Sequence, residues 1–182
     1  LQPELERTGV PVALVGSRRF YDPAALAAVA RLVRAQGVEL IHTHLTYADV
    51  VGRLVGRLTG VPVVSTLHNE PTDYNRQRRD RRLLQRLTAR RAAAHLIAVS
   101  PRLRELFVAE WGLPPGRVTA IMNAVPLERY LAVPERPAPA PGEPLTITTI
   151  GRLSPQKDHA TLLAAARPLL QRRPELRLQL VG

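Results

Sequence analysis

Arg152 and Lys157 stand in the stretch Gly151-Arg152-Leu153-Ser154-Pro155-Gln156-Lys157-Asp158, between a strand-like run and a helix-like one. Two full positive charges beside the free N–H groups of a helix amino end make a seat for an anion such as a phosphate. Lys157 is the chain's only lysine, since the remaining 25 of its 26 basic residues are arginine. In a chain so driven toward arginine, one lysine in an anion-seating loop stands out, although a solvated loop charge would look the same.

Three histidines form a second constellation. His42 and His44 close the run ending in Ile41-His42-Thr43-His44, and His68 closes Val61 to Leu67 and is followed by Asn69 and Glu70. Alternation along a strand puts His42 and His44 on one face and Thr43 on the other. Imidazoles at strand ends can hydrogen-bond a hydroxylated ligand or pass a proton near neutral pH. They can equally be satisfied by loop carbonyls. A zinc site is not expected, because His42-x-His44 lacks a third ligand of convincing spacing other than His68. Catalytic triads, phosphate-binding P-loops and the GxGxxG dinucleotide fingerprint are absent from the sequence.

The elements that must hold these residues alternate. Leu145 to Ile150 is a β-branched apolar run that predicts a buried strand, and Asp158 or Ser154 can cap the helix that follows. That helix puts Leu162, Ala166, Leu169 and Leu170 on one face, with Pro168 expected to kink its last turn. Upstream, strands are predicted over Val12–Val15, Val38–Ile41, Val61–Leu67, Leu96–Val99 and Val118–Met122. Between them fall helices opened by Asp22-Pro23 and Ser100-Pro101, and a small-residue helix in which Gly52 and Gly56 allow close packing on a sheet. Residues 75–94 predict a long arginine-rich helix with a narrow stripe of Leu83, Leu84 and Leu87, read as a solvated charged face or a contact for an anionic membrane or nucleic acid. Strand-helix alternation predicts α/β architecture with parallel sheets.

The proline-rich Leu131–Pro144, LAVPERPAPAPGEP, suits neither helix nor central strand and predicts an extended linker. It divides the chain into residues 1–130, the linker 131–144 and residues 145–182. The last piece is too small to bury a core alone. Leu1 and Gly182 both look like cut ends, and the expectation is an internal fragment of a longer protein.

Composition narrows the rest. The apolar fraction of 45% can build a core, and with only 4% aromatic residues that core must be mostly aliphatic. No cysteine is present, which excludes disulfides and thiolate metal sites and fits a reducing compartment. The net charge of +11 invites a nucleic-acid reading, but the basic residues are spread out and not interleaved with aromatics. An anionic small ligand or membrane surface explains the charge as well.

Five segments in order carry a resemblance: IHTHLTYADVVGRL, VPVVSTLHNE, AHLIAVSPRLRELF, RVTAIMNAVPLERY and GRLSPQKD. Together they resemble glycosyltransferase family 4, retaining enzymes of the GT-B fold that use sugar-nucleotide donors. The resemblance implies two Rossmann-like parallel-sheet domains, both incomplete here: the acceptor-side domain in 1–130 and the start of the nucleotide-sugar domain in 145–182, with the linker as hinge. It implies that Gly151, Arg152 and Lys157 hold the donor diphosphate, that His68 contacts the donor sugar at the reacting centre, and that His42, His44 and Asn69 lie on the acceptor or sugar side. It implies no cofactor and no metal, the two basic residues taking the metal's part. Partners so implied are a nucleotide sugar, an acceptor that is a saccharide, a lipid-linked molecule or a small molecule, and an anionic membrane touched peripherally. The expected place is the cytoplasm, at the inner face of the membrane. Where the family has Asn-Gly-Val-Asp this chain has Asn123-Ala124-Val125-Pro126. The family's Gly-rich acceptor loop would precede Leu1 and its paired glutamates would follow Gly182, so the fragment alone is expected to turn over little. The alternatives are another GT-B enzyme such as a sugar-nucleotide epimerase, and a non-catalytic module that binds anions or nucleic acid.

Overall fold

The computed structural model describes residues 5–17, 22–71, 79–134, 140 and 143–182. The first residues of the arginine-rich helix (75–78) and most of the proline-rich linker (135–139, 141–142) lie outside them. The chain divides into two compact units, Leu1–Val125 and Pro126–Gly182.

In the first unit, helix α1 (Pro23–Ala35) starts where Asp22 accepts from the N–H groups of Ala24 and Ala25, with proline at its first position. Strand β1 (Ile41–His44) leads into α2 (Thr46–Thr59), then β2 (Val63–Leu67), α3 (Arg79–Arg91), β3 (His95–Ala98), α4 (Pro101–Trp111) and β4 (Val118–Ala120). The four strands pair in sequence order, all parallel, with Ile41 opposite Val63, Ser65 opposite Leu96 and Leu96 opposite Val118. Parallel neighbours need a crossover, and each crossover here contains a helix. Each strand is predicted within a few residues of its observed ends, the usual uncertainty of a helix or strand limit.

Close packing follows from the two glycines of α2. A Cβ on Gly52 would overlap Thr43 Cγ2, and one on Gly56 would overlap Val63 Cγ2. The larger apolar cluster joins Leu67, Ala89, Leu96, Leu103, Phe107, Trp111 and Val118, with Phe107 and Trp111 in edge contact at 4.6 Å. A smaller one joins Ala30, Val33 and Val55. Ser100 caps α4 by accepting from the Leu103 N–H at 3.1 Å, as its place before Pro101 predicts.

One expectation for this unit fails. Val12–Val15 is no strand: the run is irregular and largely exposed, and among the described residues no strand pairs with it. The leucine stripe of α3 is not its inner face. Gln85, Thr88 and Ala89 are buried, whereas Leu83 is 57% exposed and Leu87 also faces outward.

In the second unit a short helix α5 (Glu128–Leu131) precedes β5 (Leu145–Ile150), a 3₁₀ turn over Pro155–Lys157, α6 (His159–Arg172) and β6 (Leu176–Val181). Strands β5 and β6 pair in parallel from Leu145 opposite Leu176 to Ile150 opposite Val181. The predicted burial of β5 is not found, with Ile150 80% exposed, because within this unit only α6 is there to cover a two-stranded sheet. Helix α6 runs through Pro168 to Arg172 and turns Leu162, Ala166 and Leu170 inward, while Leu169 stays exposed.

Candidate functional site

The first candidate site gathers at the carboxyl ends of β1 and β2. His42 and His44 share the outer face of β1, as alternation predicts, and Thr43 is buried on the other. His42 Nε2 lies 2.8 Å from the Thr66 hydroxyl on β2. His44 Nδ1 lies 3.0 Å from His68 Nε2. The rings of His42 and His44 are 4.4 Å apart and those of His44 and His68 are 5.3 Å apart. The three predicted histidines are therefore one cluster, and Asn69 follows at an exposed bend.

Behind the sheet a buried polar chain fixes β1, and sequence reasoning missed it. Thr43 Oγ1 donates to Asp49 Oδ1 at 2.7 Å and lies 2.7 Å from Ser65 Oγ. Arg53 Nε donates to Ser65 Oγ at 2.9 Å, and its Nη1 donates to Gln85 Oε1 at 2.9 Å. Gln85 Nε2 in turn donates to the Thr46 carbonyl at 2.5 Å. Burying an arginine costs several kcal/mol unless it is paired and hydrogen-bonded, and here each of these links contributes. The buried Gln85 explains the inward face of α3: Arg53 needs a carboxamide opposite it, not a leucine.

Charge in the cluster is tuned by burial. Burial lowers the His42 pKa from its ordinary value, the neighbouring His44 lowers it further, and Asp49 opposes both. Burial raises the Asp49 pKa, while Arg53, the Thr43 hydroxyl, His44 and His68 hold it back. Loss of solvation disfavours the charged form of each group, so both move toward neutrality.

The second candidate site is the loop from β5 to α6. Gly151 N–H still donates to the Val181 carbonyl at 2.8 Å, the last ladder bond before the chain leaves the sheet. The Arg152 carbonyl accepts from Ser154 N–H at 2.8 Å and from His159 Nε2 at 3.2 Å. Asp158 takes the left-handed conformation (φ 47°) and caps α6 by accepting from the Thr161 N–H, so it serves as the cap and Ser154 does not. Asp is one of the few residues that tolerate this conformation. Arg152 and Lys157 are exposed, and the Lys157 stem lies over Gly151, where an added Cβ would sit 3.7 Å from Lys157 Cγ, Cδ and Cε. That is ordinary contact, so the loop's own packing does not demand glycine. His159, missed in the sequence, ties the loop to the helix. Its place directly after Asp158 was the available signal.

Comparison with known proteins gives these residues a context. The pattern of Glycosyltransferase Family 4 matches residues 2–129. The chain is 24% identical over 159 residues to the UDP-Gal:alpha-D-GlcNAc-diphosphoundecaprenol alpha-1,3-galactosyltransferase of Escherichia coli, covering 82% of this chain and 41% of that protein. It is 29% identical over 177 residues to the D-inositol 3-phosphate glycosyltransferase of Kribbella flavida, covering 87% of this chain and 42% of that protein. The chain thus spans less than half the length of these curated relatives. Among solved structures, Anabaena HepE in complex with UDP and glucose superposes with a TM-score of 0.77 at 22% identity, over 100% of this chain and 50% of that one. A UDP-N-acetylglucosamine 2-epimerase described as putative, from Listeria monocytogenes, superposes at 0.57 and 12% identity, over 99% of this chain and 51% of that one. These likenesses carry the fold, which is α/β with parallel sheets of the GT-B type. The family pattern covers well over half of the residues, and on that evidence the chain belongs to glycosyltransferase family 4.

Proposed function

We propose that this chain is part of a retaining glycosyltransferase that moves a sugar from a nucleotide-diphosphate donor to an acceptor. The observation that carries the reading is the β5–α6 loop, where Arg152 and Lys157 follow Gly151 between the carboxyl end of a parallel strand and the amino end of a helix. As the bond from the sugar's anomeric carbon to the diphosphate breaks, negative charge grows on the leaving phosphate. Arg152 and Lys157 stabilise it there, and no metal or other cofactor is needed for that task. Gly151 leaves room for the backbone to approach the phosphates. In this reading His68 is assigned to the donor sugar, and His42, His44 and Asn69 to the acceptor or sugar side.

UDP is the donor nucleotide this reading favours, because UDP appears in the names of both the galactosyltransferase relative and the HepE complex. The acceptors named for the two relatives both carry phosphate, so a phosphorylated acceptor is the class to try first. The reading also places the protein in the cytoplasm, touching the inner face of the membrane. Supporting that contact, α3 turns Leu83 and Leu87 outward among the exposed Arg79, Arg86, Arg90 and Arg91. No helix among the described residues is long and apolar enough to cross a membrane.

The test is an assay of the intact protein with UDP-sugars, following UDP release and transfer to a phosphorylated acceptor. Transfer with retained anomeric configuration supports the reading. Conversion of the sugar nucleotide without transfer would support the sugar-nucleotide epimerase alternative, whose fold match is the weaker one. Indifference to UDP-sugars with steeply salt-dependent binding of polyanions would support a non-catalytic binding module.

A further inference from the structure

His44 is the last residue of β1, and His68 stands just past β2. The ladder sets His44 opposite Thr66, so the two rings meet diagonally, two residues along the neighbouring strand. Their 3.0 Å nitrogen–nitrogen contact requires one imidazole to donate and the other to accept. The proton of one ring therefore fixes the tautomer of the other.

The surroundings hold His44 firmly. Thr43, its neighbour on the strand, is anchored behind the sheet by Asp49 and Ser65. On the other side Leu45 has φ 73° and ψ 153°, a region where only glycine rests easily. That conformation turns the chain from β1 into α2 within one residue. It is held by the Asp49 N–H donating to the Leu45 carbonyl at 2.9 Å and by Gln85 on the Thr46 carbonyl. Backbone strain next to a cluster of titratable side chains marks a place where geometry is kept at a cost. The charged and titratable neighbours are His42 on β1, engaged with Thr66, and Asp49 with Arg53 on α2.

We propose that His44 is a positioning residue for His68. Its Nδ1 accepts the proton of His68 Nε2, which holds the His68 ring in place and leaves the His68 Nδ1 lone pair free to accept from a donor-sugar hydroxyl. This direction puts both rings in the Nε2–H tautomer that neutral histidine side chains favour. The proposal rests on the reading that His68 meets the donor sugar.

The experiment compares His68→Ala, His44→Ala and His44→Asn in the intact protein, by steady-state kinetics with UDP-sugar and by ¹⁵N NMR of the His68 ring. Asparagine can place its Oδ1 near the position of Nδ1 and accept the same proton. His44→Ala should lower kcat about tenfold, the worth of one hydrogen bond, with little change in donor KM. His44→Asn should restore most of that loss, and wild-type His68 should show an unprotonated Nδ1. A costly His68→Ala beside a harmless His44→Ala would overturn the positioning role and leave the site intact. Equal losses in His44→Ala and His44→Asn, or a protonated His68 Nδ1 in the wild type, would also overturn it. A harmless His68→Ala would bring down the donor-sugar reading itself.

Discussion

Asp49 and Arg53, one turn apart on α2, face each other at 3.6 Å with side chains that are 1% and 0% exposed. Together with Thr43, Ser65 and Gln85 they tie β1, β2 and α3 into one polar unit beneath the histidine cluster. Removing one partner strands the other as an uncompensated buried charge. Arg53→Ala should therefore destabilise the protein by about 3–5 kcal/mol, measured by urea unfolding. Asp49→Leu combined with Arg53→Met should recover much of that loss, because a buried pair replaced by apolar groups is often neutral.

Leu45 supplies a second test. Its side chain is exposed and its backbone lies where a Cβ is strained, so glycine should relieve more strain than it costs in chain entropy. Leu45→Gly should leave unfolding stability unchanged or raise it by about 1 kcal/mol. A loss above that size would mean that the turn is not strained.

The pH dependence of stability should carry the mark of His42. Its folded pKa lies below the ordinary 6.5 that applies in the unfolded chain. Between those two values the unfolded state binds the extra proton and the folded state does not. Stability is therefore lost as pH falls from about 6.5 through the lower folded value. In His42→Gln that part of the slope should vanish, read as ΔG of unfolding against pH between about 5 and 7.5.

The outward face of α3 predicts membrane behaviour. The intact protein should sediment with vesicles containing anionic lipid and not with zwitterionic ones, each arginine near the surface adding about 1 kcal/mol at modest salt. Leu83→Gln with Leu87→Gln should weaken this binding several-fold at unchanged thermal stability. A large fall in melting temperature would instead mean that other parts of the protein cover these leucines.

Much of this was legible in the sequence, and the failures share one physical cause. The β5–loop–α6 unit announces itself through a β-branched run, a glycine, a Ser-Pro turn and a capping Asp158, all local signals. Period-two alternation placed His42 and His44 together, and Gly52 and Gly56 marked the close approach of α2 to the sheet. What stayed hidden depends on which element lies opposite. Val12–Val15 has the composition of a strand, but pairing makes a strand, and no described strand pairs with it. Asp49 and Arg53 carry no local signal of burial in the sequence. Only the register of β1 on β2 shows that Thr43 and Ser65 meet beneath them. Nothing in the α3 sequence marks Gln85 as its buried residue; the inward place belongs to Gln85 because Arg53 is there.

The central claim is that Arg152 and Lys157 hold the donor's diphosphate, and titration calorimetry of UDP with the intact protein tests it most directly. A charge-assisted contact to phosphate is worth about 1.5–3 kcal/mol, so Lys157→Ala should weaken UDP roughly 10- to 100-fold, with Arg152→Ala similar. His68→Ala should leave UDP affinity near the wild-type value, since that residue is assigned to the sugar. UDP binding that is unchanged in both loop variants would contradict the claim.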